Sequence, residues 1–342
     1  MKTQTAKSDK ITHTRGFVTI ATGAERYYKL AENLRYSYKL FAAEPLPFAI
    51  IADRENKYTS SFDDVIIIDR PTGSYMDKLC LYELLPYDET IFIDADCLAY
   101  GDLNCWFSWF SSMNDFSCFG YAFTDLSTPH GWFDASAVPE PYAEKIKFVP
   151  SFNGGVYYLR RSAICGEVFA LAKKFAAEYD RRVFRGFLNP ADEPLLGLAM
   201  AIQDCWPVNR PAILFAPKSK HLSIDPFTPK VCYKQESIEY SIIHWSNYLT
   251  QKSRYRFETE RLRNRSSRHT LKYWLLYRTK LRLLLLYPYN LLALWTRIKK
   301  GYRKADSPGS FLKKGWAYLH RKREVYCRIC AGLVPGQNAA TD

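Results

Sequence analysis

Residues 89–100 read Glu-Thr-Ile-Phe-Ile-Asp-Ala-Asp-Cys-Leu-Ala-Tyr. The apolar run Ile91-Phe92-Ile93 predicts a buried strand. It ends in two carboxylates, Asp94 and Asp96, one residue apart. Side chains two apart on a strand share a face, so both acids are expected to reach one object at the strand's C-terminal end. Open α/β sheets bind their ligands at that end. Neighbouring anions repel unless a cation sits between them or one is protonated. A hard divalent ion, Mn²⁺ or Mg²⁺, itself carrying a phosphate-bearing substrate, satisfies both acids. The competing reading of any isolated Asp-x-Asp is an acidic surface turn. The apolar strand directly before it favours the ion.

Outward from this stretch, strands alternate with helices. Gly16–Thr22 reads as an opening strand, followed by a helix from Ala24 to Phe41 with Leu30, Leu34 and Tyr38 at four-residue spacing. Pro47–Asp53 and Val65–Asp69 read as strands, and Met76–Leu85 as a helix before the acidic strand. Such alternation predicts parallel pairing with right-handed crossovers. Neither a dinucleotide fingerprint nor a phosphate-binding P-loop occurs. Trp106–Tyr142 predicts a strand at Phe116–Phe123 and a long loop able to close over a ligand. Beyond it, Ser162 is placed to cap a helix with Ile164, Val168, Leu171 and Phe175 on one stripe. Asp192 is read as the cap of another helix, with Pro194 in its first turn. Ser241–Trp245 reads as a late buried strand.

Of the 342 residues, 47% are apolar and 24% charged, the balance of a globular protein. The net charge of +13 is unevenly spread. From Gln251 onward there are 22 Lys/Arg against 5 Asp/Glu, whereas residues 1–250 carry 26 against 30. The reading is therefore a flexible N-terminus (1–15), a catalytic-sized body (16–255) and a basic, aromatic helical tail (256–342). No secretory signal is visible, and the expected compartment is the cytoplasm. The nine cysteines lack a framework spacing, and the single Cys-x-x-Cys, Cys327 and Cys330, has no second half for a zinc site.

Four further residues are candidates for chemistry. Lys78 sits on the buried stripe with Leu81, Tyr82 and Leu85, where a lysine snorkels or meets an anion such as a nucleotide phosphate. Asn153 precedes Gly154 and Gly155; spacing alone favours a tight turn over a ligand contact. His244 lies in an apolar strand, as a core histidine or as a third ligand to the ion. Asp192 is a cap, or a carboxylate able to hold a hydroxyl group.

Taken in order, five pieces resemble glycosyltransferase family 8, the glycogenin-like retaining enzymes of the GT-A fold. They are Phe17-Val-Thr-Ile-Ala-Thr22, Asp77-Lys78-Leu79, Phe92-Ile-Asp-Ala-Asp96, Phe152-Asn-Gly-Gly-Val156 and Ile243-His244-Trp245. The match spans roughly residues 16–250. The resemblance implies an α/β fold with a mixed, mainly parallel central sheet flanked by helices, extended by the basic helical tail. It implies transfer of a hexose from a nucleotide-diphosphate sugar, UDP-linked in expectation, to a glycan or lipid-linked acceptor with retention. It assigns the metal, Mn²⁺ or Mg²⁺, to Asp94, Asp96 and His244. Donor binding falls to Thr22, Tyr28 (or Tyr27), Lys78, Asp94, Asn153 and Gly154, and the catalytic roles to Asn153 and Asp192. The chain departs from the pattern at Asn-Gly-Gly, where Asn-Ser-Gly is usual, and at Asp192-Glu193, where Asp-Gln is usual. The expected Gly-x-x-Lys-Pro-Trp after the histidine is missing, leaving Lys252 as a weak substitute.

The tail's longest uncharged run, Leu283–Thr296, is fourteen residues and contains Pro288, too short to span a bilayer. Residues 261–328 are instead expected to lie on an anionic membrane surface. No nucleic-acid module accompanies the charge, and no nucleic-acid partner is expected. The alternatives are a haloacid dehalogenase-type phosphatase, which also ends a strand in Asp-x-Asp, and a catalytically inactive sugar-nucleotide-binding protein at the membrane.

Overall fold

The computed structural model describes residues 14–263 except 113, 128–130, 185–186, 211, 216–221, 225–230, 234–240 and 252. The expected flexible N-terminus, Lys252, the Cys327/Cys330 pair and nearly all of the basic tail lie outside the described residues. All described residues belong to one compact unit. Among them, no helix is long and apolar enough to cross a membrane.

In chain order the elements are β1 (Arg15–Ala21), α1 (Glu25–Phe41), β2 (Phe48–Ala52), β3 (Asp64–Ile67), β4 (Glu89–Ile93) and β5 (Cys97–Ala99). They continue with α2 (Trp106–Ser111), β6 (Phe116–Phe123), β7 (Val149–Arg160), α3 (Ala163–Ala177), α4 (Asp192–Ile202) and β8 (Ile213–Phe215). The described part closes with β9 (Leu222–Ile224), β10 (Val231–Tyr233), β11 (Ile242–His244), α5 (Ser246–Thr250) and α6 (Ser253–Arg263).

The fold is α/β. Six strands form a central sheet in the order β3-β2-β1-β4-β7-β6. β1, β2, β3 and β4 run parallel, and β7 lies antiparallel between β4 and β6. The Ile91-Phe92-Ile93 part of β4 is an unbroken apolar run because both its faces are covered. Ile91 and Ile93 join one core with Tyr28, Leu34 and Tyr38 of α1 and Trp106 of α2. Phe92 points the other way, into a core with Val168 and Phe169 of α3 and Leu195 of α4. Each such fully buried side chain contributes about 1.5–3 kcal/mol of hydrophobic free energy.

Chain direction reverses its spread at β1, which has β2 on one side and β4 on the other. Such a switch point opens a crevice at the carboxyl ends of the strands. A second sheet, β5-β11-β8, supplies its far wall. β11 pairs antiparallel with β5, placing His244 opposite Cys97.

Three local expectations are corrected. The segment around Lys78 is a six-residue 3-10 helix, Tyr75–Cys80, rather than a helix to Leu85. Its tightness follows from Asp77, whose carboxylate accepts from the Thr72 N–H at 2.6 Å, the Thr72 hydroxyl at 2.6 Å and the Gly73 N–H at 3.1 Å. Asn153-Gly154-Gly155 is no turn; it lies inside β7. Third, the buried stripe of α3 runs through Cys165, Val168, Phe169, Ala172 and Phe175, leaving Ile164 exposed. Ser162 does cap that helix, accepting from the Cys165 N–H at 3.2 Å.

Candidate functional site

The two acids follow β4 rather than lying on it. Asp94 extends the pairing by one residue, its N–H donating to the Gly155 carbonyl at 2.9 Å. The chain then turns, with the Cys97 N–H on the Asp94 carbonyl at 3.0 Å, and enters β5. The Trp245 N–H donates to the Asp96 carbonyl at 3.1 Å. The β5–β11 ladder thus carries His244 to the acids across 148 residues of sequence. His244 Nε2 lies 3.0 Å from Asp96 Oδ1 and 3.7 Å from Asp94 Oδ2.

Lys78 reaches the same place from the other side. Its Nζ lies 2.9 Å from Asp94 Oδ1, 3.0 Å from Asp192 Oδ2 and 2.9 Å from the Gly154 carbonyl. Asp192 is not a cap. It is the first residue of α4, its side chain accepts no capping bond, and Ala191 occupies the cap position. Asp192 Oδ2 also accepts from the Tyr157 hydroxyl at 3.0 Å.

β7 is built to admit these groups. Gly120 of β6 faces Phe152, and Cys118 faces Tyr157, so one residue of β6 spans four of β7. Bulges of this kind re-aim side chains next to functional sites. Within the bulge the Gly154 N–H donates to Glu193 Oε1 at 2.6 Å. A Cβ on Gly154 would stand 2.6 Å from the Tyr157 hydroxyl and 2.7 Å from Glu193 Cγ. The glycine is therefore required by close packing, not by a turn.

Two cavities meet at Asp96. The smaller, of about 470 Å³, opens at the ends of β1 and β4; Thr22, Tyr27, Tyr75, Lys78 and Asp94 are in its wall. The larger, of about 780 Å³, is walled by Tyr121, Trp132, Asn153, Glu193, Arg210 and His244. Thr22 donates its hydroxyl to Asp77 at 3.2 Å. Tyr27, not Tyr28, faces the smaller cavity. Tyr28 is fully buried, with its hydroxyl donating to Asp53. Asp192 stands in the wall of neither cavity, whereas its neighbour Glu193 stands in the larger one.

The electrostatics follow from burial and proximity. Burial opposes the charge on Lys78, but the Asp192 and Asp94 carboxylates outweigh it and raise its pKa. Burial raises Asp94 against the pull of Lys78 and His244. Asp96 is lowered: burial opposes its charge, and His244 overcomes that. His244 is raised in turn, its burial outweighed by Asp96. Asp96, Cys97 and His244 offer ligand atoms that all lie within 4.8 Å of one another. That group is one carboxylate oxygen, one thiol sulfur and one imidazole nitrogen, a donor set that suits a divalent ion. The expected ligand Asp94 is not part of it, although its Oδ2 lies 3.7 Å from His244 Nε2.

The sequence did not point to Tyr157, Arg210 or the aromatic wall of the larger cavity. Arg210 follows an irregular stretch with no periodicity to mark it. The buried thiol of Cys97 is adjacent to the acidic pair, and only the β11 register shows that it faces His244.

No family model and no curated protein matches the chain. Solved structures resemble it in part. An active-site mutant of LgtC is 15% identical, with a TM-score of 0.45, over 74% of this chain and 96% of that one. The glycosyltransferase GlyE of Streptococcus pneumoniae TIGR4 is 13% identical, with a TM-score of 0.43. There the match covers 76% of this chain and 63% of GlyE, less than two thirds of its length. Mouse xyloside xylosyltransferase 1 is 12% identical, with a TM-score of 0.41, over 69% and 98%. At these values the chemistry is read from the chain's own side chains.

Proposed function

We propose that this chain is a metal-dependent glycosyltransferase of the GT-A type. In this reading it moves a hexose from a nucleotide-diphosphate sugar to a glycan or lipid-linked acceptor, with retention. One observation carries the reading. Asp94, Asp96, His244 and Lys78 converge where two cavities meet at the sheet's switch point.

Both cavities fall in the range of roughly 300–1,000 Å³ that small-molecule sites occupy. The smaller takes the nucleoside, between Thr22 and Tyr27. The larger takes the donor sugar and the acceptor. Asp94, Asp96 and His244 would hold Mn²⁺ or Mg²⁺ at the junction of the two cavities. When bound, the ion supplies Lewis-acid stabilisation of the charge that develops on the leaving nucleotide. Lys78 adds a fixed positive charge on the same wall, kept ionised by its two carboxylates. Asp192, expected beside the sugar, acts in this reading through Lys78. Tyr121 and Trp132 offer aromatic faces to a sugar ring. Retention follows if the acceptor hydroxyl attacks from the face that the nucleotide leaves.

A thermal-shift screen of nucleotide sugars, with and without Mn²⁺, tests this. A donor at a hundredfold its dissociation constant stabilises the fold by about 2.7 kcal/mol. At roughly 2–4 °C per kcal/mol, the expected rise is about 5 °C or more, dependent on Mn²⁺. If no nucleotide sugar shifts the melting point, the reading fails. Donor binding without nucleotide release in the presence of any acceptor favours the inactive-binder alternative.

The tail reading rests on composition. Residues 261–328 bind anionic membrane, and the full chain floats with phosphatidylglycerol vesicles but not with neutral ones. A chain that sediments from both defeats that proposal.

A further inference from the structure

We infer that Asn153 is a positioning residue for the cation site, through His244. Its side-chain oxygen fixes the tautomer and ring orientation that turn Nε2 toward Asp94 and Asp96. The inference rests on the metal reading above and gives Asn153 a different task from the sugar contact that the family resemblance implied.

The argument is one of hydrogen-bond sense. Asn153 Oδ1 lies 2.6 Å from His244 Nδ1. The same atom accepts the Gly155 N–H at 3.0 Å. A backbone N–H only donates, so the amide presents its oxygen there and not its nitrogen. An amide oxygen only accepts, so the proton on the bond to His244 belongs to Nδ1. In the neutral ring Nε2 then carries the lone pair. That lone pair faces Asp96 Oδ1 at 3.0 Å and Asp94 Oδ2 at 3.7 Å. Facing these carboxylates, Nε2 carries either a proton, which Asp96 favours, or a divalent ion that displaces that proton. Histidine ligands to metals almost always donate their second ring N–H to an oxygen acceptor, and losing that partner weakens metal binding.

The packing around the bond is an independent observation. A Cβ on Gly155 would stand 2.7 Å from His244 Nδ1 and 2.8 Å from Asn153 Oδ1. Both atoms of the hydrogen bond therefore lie against Gly155, and only glycine leaves room for them. The carbonyl of the same residue holds the Asp94 N–H at 2.9 Å. One backbone unit thus sets the first acid, the amide oxygen and, through it, the imidazole.

The test is Mn²⁺ binding to the full chain without nucleotide, read by electron paramagnetic resonance of the free ion. Asn153→Ala is expected to weaken binding about 10- to 100-fold. Asn153→Asp keeps an acceptor oxygen at that position and is expected to bind Mn²⁺ close to the parent. Gly155→Ala, which forces the pair apart, should weaken binding as Asn153→Ala does. In the His-labelled, Zn²⁺-loaded parent, ¹⁵N NMR should show His244 protonated at Nδ1. An Asn153→Ala chain with parental Mn²⁺ affinity overturns the inference, as does a Zn²⁺-loaded parent protonated at Nε2. A parent that binds no Mn²⁺ overturns the metal reading itself, so the two failures are distinguishable.

Discussion

Asp96→Asn is expected to lower sugar transfer by about a thousandfold and to remove Mn²⁺ binding. The side chain keeps its shape and loses its charge. Asp96 is the acid closest to His244 Nε2 and stands in the walls of both cavities. A metal ion contributes several kcal/mol to charge stabilisation in such a reaction. Each 1.36 kcal/mol is worth tenfold in rate, so losing that contribution costs about three decades. EDTA should reproduce the loss in the parent, and Mn²⁺ should restore the parent but not the variant. Asp69→Asn, at an exposed carboxylate paired among the described residues with its neighbour Arg70, should leave transfer unchanged. Undiminished turnover in both Asp96→Asn and the EDTA-treated parent would sink the metal site.

Lys78→Met is expected to destabilise the fold by about 3–5 kcal/mol, the cost of removing one partner from a buried ion pair. Lys78 has only 12% of its side chain exposed, and Asp192 only 7%. Without the ammonium, Asp94 and Asp192 are left as near-buried anions with no cation between them, and the Gly154 carbonyl loses a donor. The Tyr157 hydroxyl still holds Asp192, which keeps the loss from being larger. Lys78→Arg retains the charge and should recover much of the stability. Urea unfolding measures the effect. An unchanged midpoint in Lys78→Met would show that water already solvates these charges.

Much of this site was legible in the sequence, and the reasons are physical. The acidic pair stood out because three apolar residues led straight into two charges. His244 was readable only as a residue in an apolar strand; its pairing with Asp96 needs the antiparallel register of β11 on β5, which no local pattern encodes. Asn153-Gly154-Gly155 misled for a definite reason. Glycine pairs favour turns when nothing else is known, and here the glycines clear space for side chains from elsewhere: Tyr157 and Glu193 at Gly154, and His244 at Gly155. Asp192 was read as a cap because acids prefer helix starts, yet its partner is a lysine 114 residues earlier in the chain. The helix expected through Leu85 shrank to a 3-10 turn because the Asp77 carboxylate gathers the backbone around it. Local propensity set the elements, and long-range pairing set the chemistry.

The order in which these parts leave the ribosome matters. All six strands of the main sheet are encoded before Ser162, while the imidazole assigned to the proposed cation site arrives on β11. Domains fold as units while the chain is still being made. A nascent chain halted between these points has its scaffold and both acids encoded but not the histidine that contacts them. If the proposed cation site is right, affinity for a divalent ion appears only once β11 docks, and so reports that translation has passed residue 244.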